Sequence, residues 1–101
     1  MKMVTAIVRT TSLQKVLESL QDAGIRGLTI SEVRGLGNEV HLYTSYEVHS
    51  RLEIIVPKEE VEKVTSVIVD NAHTGFPGDG MIAVAPVDYV IKVRTKEKST
   101  G

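Results

Sequence analysis

Three glycine-bearing clusters hold most of the chemistry this sequence could perform: Gly24-Ile25-Arg26-Gly27, Gly35-Leu36-Gly37-Asn38 and Thr74-Gly75-Phe76-Pro77-Gly78-Asp79-Gly80. Backbone bare of side chains lets amide N–H groups close on a phosphate, and successive amides in such turns form anion-binding nests. Taken singly, each cluster is more readily just a turn. Their combination points to an anion. No Gly-Lys-Ser/Thr follows any of them, and none has the acidic partner of a dinucleotide fingerprint, which argues against P-loop ATPase and dehydrogenase readings. Lys92 and Arg94 stand two apart in an alternating run, so on a strand both would project from one face and could grip one phosphate. A solvated cationic strand edge accounts for the pair equally well.

Other reactive side chains are scattered. His41 and His49 lie eight apart in a polar stretch and His73 ends a helical pattern, a spacing that matches no common zinc site, so no metal site is expected. Ser45, Ser50 and Asp79 are the available nucleophile or acid–base candidates, and none has a base at a suggestive spacing. No catalytic residue is assigned, and a binding protein is expected in place of an enzyme.

Composition narrows the class. A chain of 101 residues has room for one domain, and one this short leaves much apolar surface uncovered unless it associates. With 12 basic and 13 acidic side chains the formal net charge is -1, so no global field draws it to nucleic acid or to an anionic membrane. Cysteine is absent, which removes disulfides and thiolate metal centres and fits a reducing compartment. Residues 1–10 lack the apolar core of a signal peptide, and no run of about 18 apolar residues occurs, so a cytoplasmic location without membrane insertion is expected.

The elements that must position these residues can be read from periodicity. Val4, Ala6 and Val8 alternate in a first strand within 3–9, with Ile7 on its other face. Thr11 and Gln14 have the form of a capping box, Leu13, Val16, Leu17 and Leu20 recur at helical spacing, and Gly24 stops the helix. A second strand is expected over 25–34, a loop over 38–50, and a third strand over 52–56, closed by Pro57. Glu59 and Glu60 then open a helix whose stripe is Val61, Val64, Ile68 and Ala72. After the turn at 74–80 come a short strand over 82–85, an alternating strand over 87–94 and a polar, frayed tail over 96–101. Strand, helix, strand, strand, helix, strand is the ferredoxin-like βαββαβ arrangement of the α+β class, an antiparallel sheet with both helices on one face. It places a single domain over 1–95.

Over nearly its whole length the chain also resembles the PII signal-transduction family. Gly24 to Gly37 is similar to that family's G-I-x-G-[ML]-T-[VI]-x-E-V-[KR]-G-x-G signature, Thr74 to Gly80 to its B-loop turn T-G-x-x-G-D-G-K, and Val90 to Thr95 to its closing V-I-R-I-R-T strand. The resemblance implies a homotrimer with an adenine nucleotide, AMP, ADP or ATP, in each cleft between subunits. Carried over residue by residue, it puts Ile7 and Ile55 beside the adenine and Gly27, Leu28 and Thr29 at its edge and ribose. Gly35, Gly37 and Asn38 would line the loop entrance, and Gly78, Asp79 and Gly80 would hold phosphate, with Lys92 and Arg94 entering from the adjacent chain.

The departures bear on the specific function. Members that bind ATP with magnesium and 2-oxoglutarate usually carry Arg-Gln where this chain has Asn38-Glu39, and a phosphate-binding lysine where it has Met81. Lys92 replaces one of the paired arginines and lacks the bidentate fork. The segment that engages targets, the T-loop, is short, and Tyr43 and Tyr46 do not sit in the long loop of nitrogen-regulatory members. The sequence looks closer to short-loop PII-like regulators found beside transport systems, some linked to bicarbonate or carboxysomes. Such a protein would favour AMP or ADP over ATP, could take bicarbonate as a second ligand, and would signal to a transporter or another protein target. A nitrogen-regulatory member and a CutA-like divalent-metal-tolerance trimer are the alternatives.

Overall fold

Val4, Ala6 and Val8 turn one face of the first strand into a fully buried surface, and the architecture is built on that face. The computed structural model describes residues 1–35 and 47–100. In chain order it contains β1 (Lys2–Arg9), α1 (Leu13–Asp22), β2 (Thr29–Gly35), β3 (Glu47–Val56), α2 (Val61–Ala72) and β4 (Gly80–Pro86). These strands make a sheet in the order β2-β3-β1-β4, and every neighbouring pair is antiparallel. This is the expected ferredoxin-like βαββαβ arrangement.

Both helices cover one face. Val16 and Leu20 of α1 and Val64, Ile68 and Ala72 of α2 join Val4, Ala6, Val8, Leu52, Ile54 and Val56 in one core, the apolar stripes expected from their spacing. Gly24, at φ 92, ends α1 with its N–H on Gln21 O and Ile25 N–H on Leu20 O, both at 3.0 Å, a Schellman closure that tucks Ile25 into the core. The start of α1 differs from expectation. Thr11 lies inside a 3-10 turn over Thr10–Ser12, so the cap position passes to Ser12, no side chain caps the helix, and Gln14 instead bonds Glu18 at 2.9 Å.

Two strand boundaries also shift. β3 begins at Glu47, so the last four residues of the loop expected over 38–50 belong to the sheet, paired with Glu32 to Gly35 of β2. Their polar character misleads because Ser50, although buried, is satisfied by Thr10 Oγ1 at 3.0 Å, and His49 points to a polar partner. Residues 36–46, the rest of that loop, lie outside the described residues.

The second shift is larger. Sheet pairing ends at Pro86, opposite Lys2, and the alternating run that follows does not continue β4. Val90–Ile91 forms β5, which pairs with β6 (Lys98–Ser99) in a separate two-stranded ribbon. Lys92 N–H bonds Glu97 O at 2.9 Å, Lys96 N–H bonds Lys92 O at 2.7 Å, and Lys96 takes φ 63 to turn the chain back. The tail expected to fray therefore supplies a strand, and Lys92 and Arg94 flank and occupy a turn in place of sharing a strand face.

Candidate functional site

The turn between α2 and β4 is held by one carboxylate. Asp79 Oδ2 accepts N–H groups from Thr74 at 2.8 Å and Gly75 at 2.9 Å, the Thr74 hydroxyl donates to Oδ1, and Phe76 N–H bonds Thr74 Oγ1 at 3.1 Å. Glycine makes the path available: Gly75 and Gly78 sit at φ 88 and 100, a region that side chains disfavour. The Thr74 hydroxyl, then the Thr74 and Gly75 amides, and last Arg9 hold the Asp79 carboxyl well below the usual carboxylate range.

Residues of two strands grip the turn from the sheet. Arg9, the last residue of β1, places Nε 3.5 Å from Asp79 Oδ1 and donates through Nη2 to Pro77 O. The two side chains are 24% and 22% exposed, so the pair is partly shielded from solvent. His49, directly opposite Arg9 in the β1–β3 register, sets Nε2 2.9 Å from Gly78 O, and since a carbonyl only accepts, that nitrogen carries the hydrogen. His73, the residue that ends α2, brings Nδ1 to 3.7 Å from Asp79 Oδ2.

A cleft of about 250 Å³ opens beside this turn, between β1, β4 and the end of α2, lined by Ile7, Ile68, Ala72, Asp79, Gly80 and Met81 among others. Three residues expected at a nucleotide, Ile7, Asp79 and Gly80, thus meet at one cleft, with Gly78 in the adjoining turn. Ile55 shares the open sheet face with Ile7, yet its register partner is Met3, four residues or about 13 Å along β1. Gly27, Leu28 and Thr29 lie at the other edge: Leu28 packs on the core, while Gly27 and Thr29 are exposed at the start of β2. Gly35 ends β2 opposite Glu47. Three strand spacings, about 14 Å, separate the β2 edge from the β4 edge. Lys92 and Arg94 belong to the separate ribbon, and Gly37 and Asn38 lie outside the described residues.

Arg9 was not legible as a site residue, Thr74 was legible only as part of the glycine-bearing turn, and His49 and His73 only as scattered histidines with no assigned role. The one local signal was Thr74 five residues before an aspartate in a glycine-rich turn, a spacing at which the carboxylate can fold back on the backbone. Among the described residues no group of three or more His, Cys, Asp or Glu could hold a metal ion, and no helix is long and apolar enough to cross a membrane.

The family described as nitrogen regulatory protein P-II matches residues 1–97. A nitrogen regulatory protein P-II 2 of Methanothermobacter thermautotrophicus is 38% identical, over 96% of this chain and 92% of its own. Nitrogen regulatory protein P-II of Synechocystis sp. is 41% identical, over 99% of this chain and 97% of its own. A P-II homolog of Arabidopsis thaliana is 42% identical over 94% of this chain, which spans 54% of that longer protein.

Proposed function

The chain belongs to the nitrogen regulatory protein P-II family, a family of regulators, and from that premise we propose that it is a nucleotide-sensing binding protein that makes and breaks no bonds. It takes up an adenine nucleotide between neighbouring copies in a trimer and reports the bound state to a protein target. AMP and ADP bind at least as well as ATP.

The observation that carries this reading is the division of the site between two sheet edges. Ile7, Asp79 and Gly80 meet at the β4 edge, whereas Gly27 and Thr29 stand at the β2 edge. One nucleotide reaches both sets most simply where the β4 edge of one copy meets the β2 edge of the next, and a ring of copies satisfies that contact repeatedly. The exposed Ile91 and Val93 of the ribbon, 53% and 92% accessible, give the chain further apolar surface to cover on association.

Signalling then follows by population shift. A nucleotide bound in the shared cleft favours one state of the trimer, and the target reads that state by differential affinity. A membrane transporter is the target class favoured by the short loop, and bicarbonate is the second ligand to titrate. The names of the relatives favour nitrogen regulation as the second reading; the resemblance to ATP-binding members would make 2-oxoglutarate and magnesium-ATP its ligands.

Calorimetric titration of the full chain with AMP, ADP, ATP, 2-oxoglutarate and bicarbonate, singly and in pairs, tests the proposal beside light scattering for three subunits. Submicromolar to micromolar adenylate binding by a trimer is expected. A monomer that binds no adenylate removes the reading. Tight binding of ATP only together with 2-oxoglutarate hands it to nitrogen sensing.

A further inference from the structure

The turn over Thr74 to Gly80 already contains an anion. Asp79 takes the N–H groups of Thr74 and Gly75 and the Thr74 hydroxyl, and that hydroxyl oxygen takes the N–H of Phe76. Three successive amides, the donor set that would otherwise cradle a phosphate oxygen, are satisfied inside the chain. A carboxylate with lone pairs alone has nothing to donate to phosphate, and its charge repels one. The Asp79 side chain therefore cannot itself hold phosphate; a phosphate role at this position falls to the backbone N–H groups of residues 78–80 and needs a cation to offset the carboxylate charge.

Arg9 is that cation. Its Nε faces Asp79 Oδ1 at 3.5 Å while Nη2 donates to Pro77 O, so one guanidinium ties the carboxylate and the backbone tip of the turn to the end of β1. We infer that Arg9 and Asp79 form a positioning pair for a nucleotide phosphate: Asp79 shapes the turn as an internal stand-in for phosphate, and Arg9 cancels its charge so that an external phosphate can approach the Gly78 to Gly80 side. The ligand half of this inference rests on the nucleotide reading above. The half that concerns the turn stands on the hydrogen bonds alone.

The test uses the full chain in two measurements. Amide exchange without ligand, followed by NMR, reads the turn: in Asp79→Ala the Thr74 and Gly75 amides should exchange at least about tenfold faster, whereas Asp79→Asn, whose single neutral oxygen can still accept both but more weakly, should fall between Asp79→Ala and wild type. Titration of Arg9→Gln with adenosine, AMP, ADP and ATP reads the charge. Adenosine should bind within about twofold of wild type, and the loss should grow with phosphate number to about tenfold or more for ATP. A purely structural arginine would weaken adenosine and ATP alike, and that result overturns the charge role. Unchanged exchange in Asp79→Ala overturns the shaping role. If wild type binds none of the four ligands, the nucleotide reading fails and the phosphate role of the pair fails with it, while the exchange rates still decide what shapes the turn.

Discussion

A β-carbon on Gly80 would lie 1.8 Å from the carbonyl oxygen of Ile7, and the next obstacle, the Ile7 carbonyl carbon, would be at 2.8 Å. Both are backbone atoms of the central strand β1, so neither can rotate away. Gly80 also takes φ 107, which side chains rarely adopt. The first prediction is that Gly80→Ala costs about 2–5 kcal/mol, from backbone strain and overpacking together. Gly75→Ala is its control: Gly75 has φ 88 but nothing within 4 Å of an added carbon, so about 1 kcal/mol is expected. Urea unfolding of both variants measures this, and equal losses would show that the Ile7 contact does not matter.

The second prediction concerns acid. Asp79 is held below the ordinary carboxylate range by the Thr74 hydroxyl first, then by the Thr74 and Gly75 amides. An unfolded aspartate titrates near 3.9, so on acidification the unfolded chain takes up this proton first, and stability must rise with pH through that window. The contribution of the carboxylate is fully present above about pH 5 and shrinks as pH falls through 4 and below. Asp79→Asn carries no such proton. Its unfolding midpoint should lie below that of wild type at pH 7, and the gap should close steadily between pH 5 and pH 2. A gap independent of pH would mean that the turn does not depend on the ionised carboxylate.

How far the sequence could be read depended on whether the partner of each residue was local. Alternation in β1 and the stripe of α2 report burial against one face, and Val4, Ala6, Val8, Val64 and Ile68 are buried accordingly. The run from Val87 to Val93 has the same alternation, yet Tyr89, Ile91 and Val93 are more than half exposed, because a period of two specifies a face and not what covers it. The 74–80 turn was visible as glycines. What holds it, Arg9 and His49, comes from positions 70 and 29 residues away from their partners, and only the register of β1 against β3 sets them side by side.

The third prediction separates fold from ligand at Gly27. Nothing lies within 4 Å of a carbon added there, and its φ is not positive, so one chain gives no structural reason for glycine. Gly27→Ala should change unfolding stability by less than about 0.5 kcal/mol. If Gly27 faces a nucleotide or a neighbouring copy, the same variant should lose adenylate affinity or trimer. Stability, affinity and assembly all at wild-type values would remove Gly27 from the site.

The last prediction tests why AMP and ADP should compete with ATP. Met81 follows Gly80 on the edge strand β4, lines the cleft and is 65% exposed, so a longer polar side chain fits there without disturbing the core. With methionine at this position, no lysine of the same chain lines the cleft among the described residues. A charge-assisted hydrogen bond contributes roughly 1.5–3 kcal/mol, which is about a tenfold to hundredfold change in affinity for the ligand that receives it. Met81→Lys should therefore tighten ATP by at least about tenfold while leaving adenosine unchanged and AMP altered by about threefold or less, since AMP has no outer phosphate to reach. Unfolding stability should stay within about 0.5 kcal/mol of wild type, because Met81 points to solvent from an edge strand. Competition among the three nucleotides for a fluorescent adenylate gives the ratios directly. If Met81→Lys tightens AMP as much as ATP, position 81 faces the first phosphate and not the outer ones; if it tightens neither, the phosphates do not extend toward β4, and the nucleotide preference must be set elsewhere in the shared cleft.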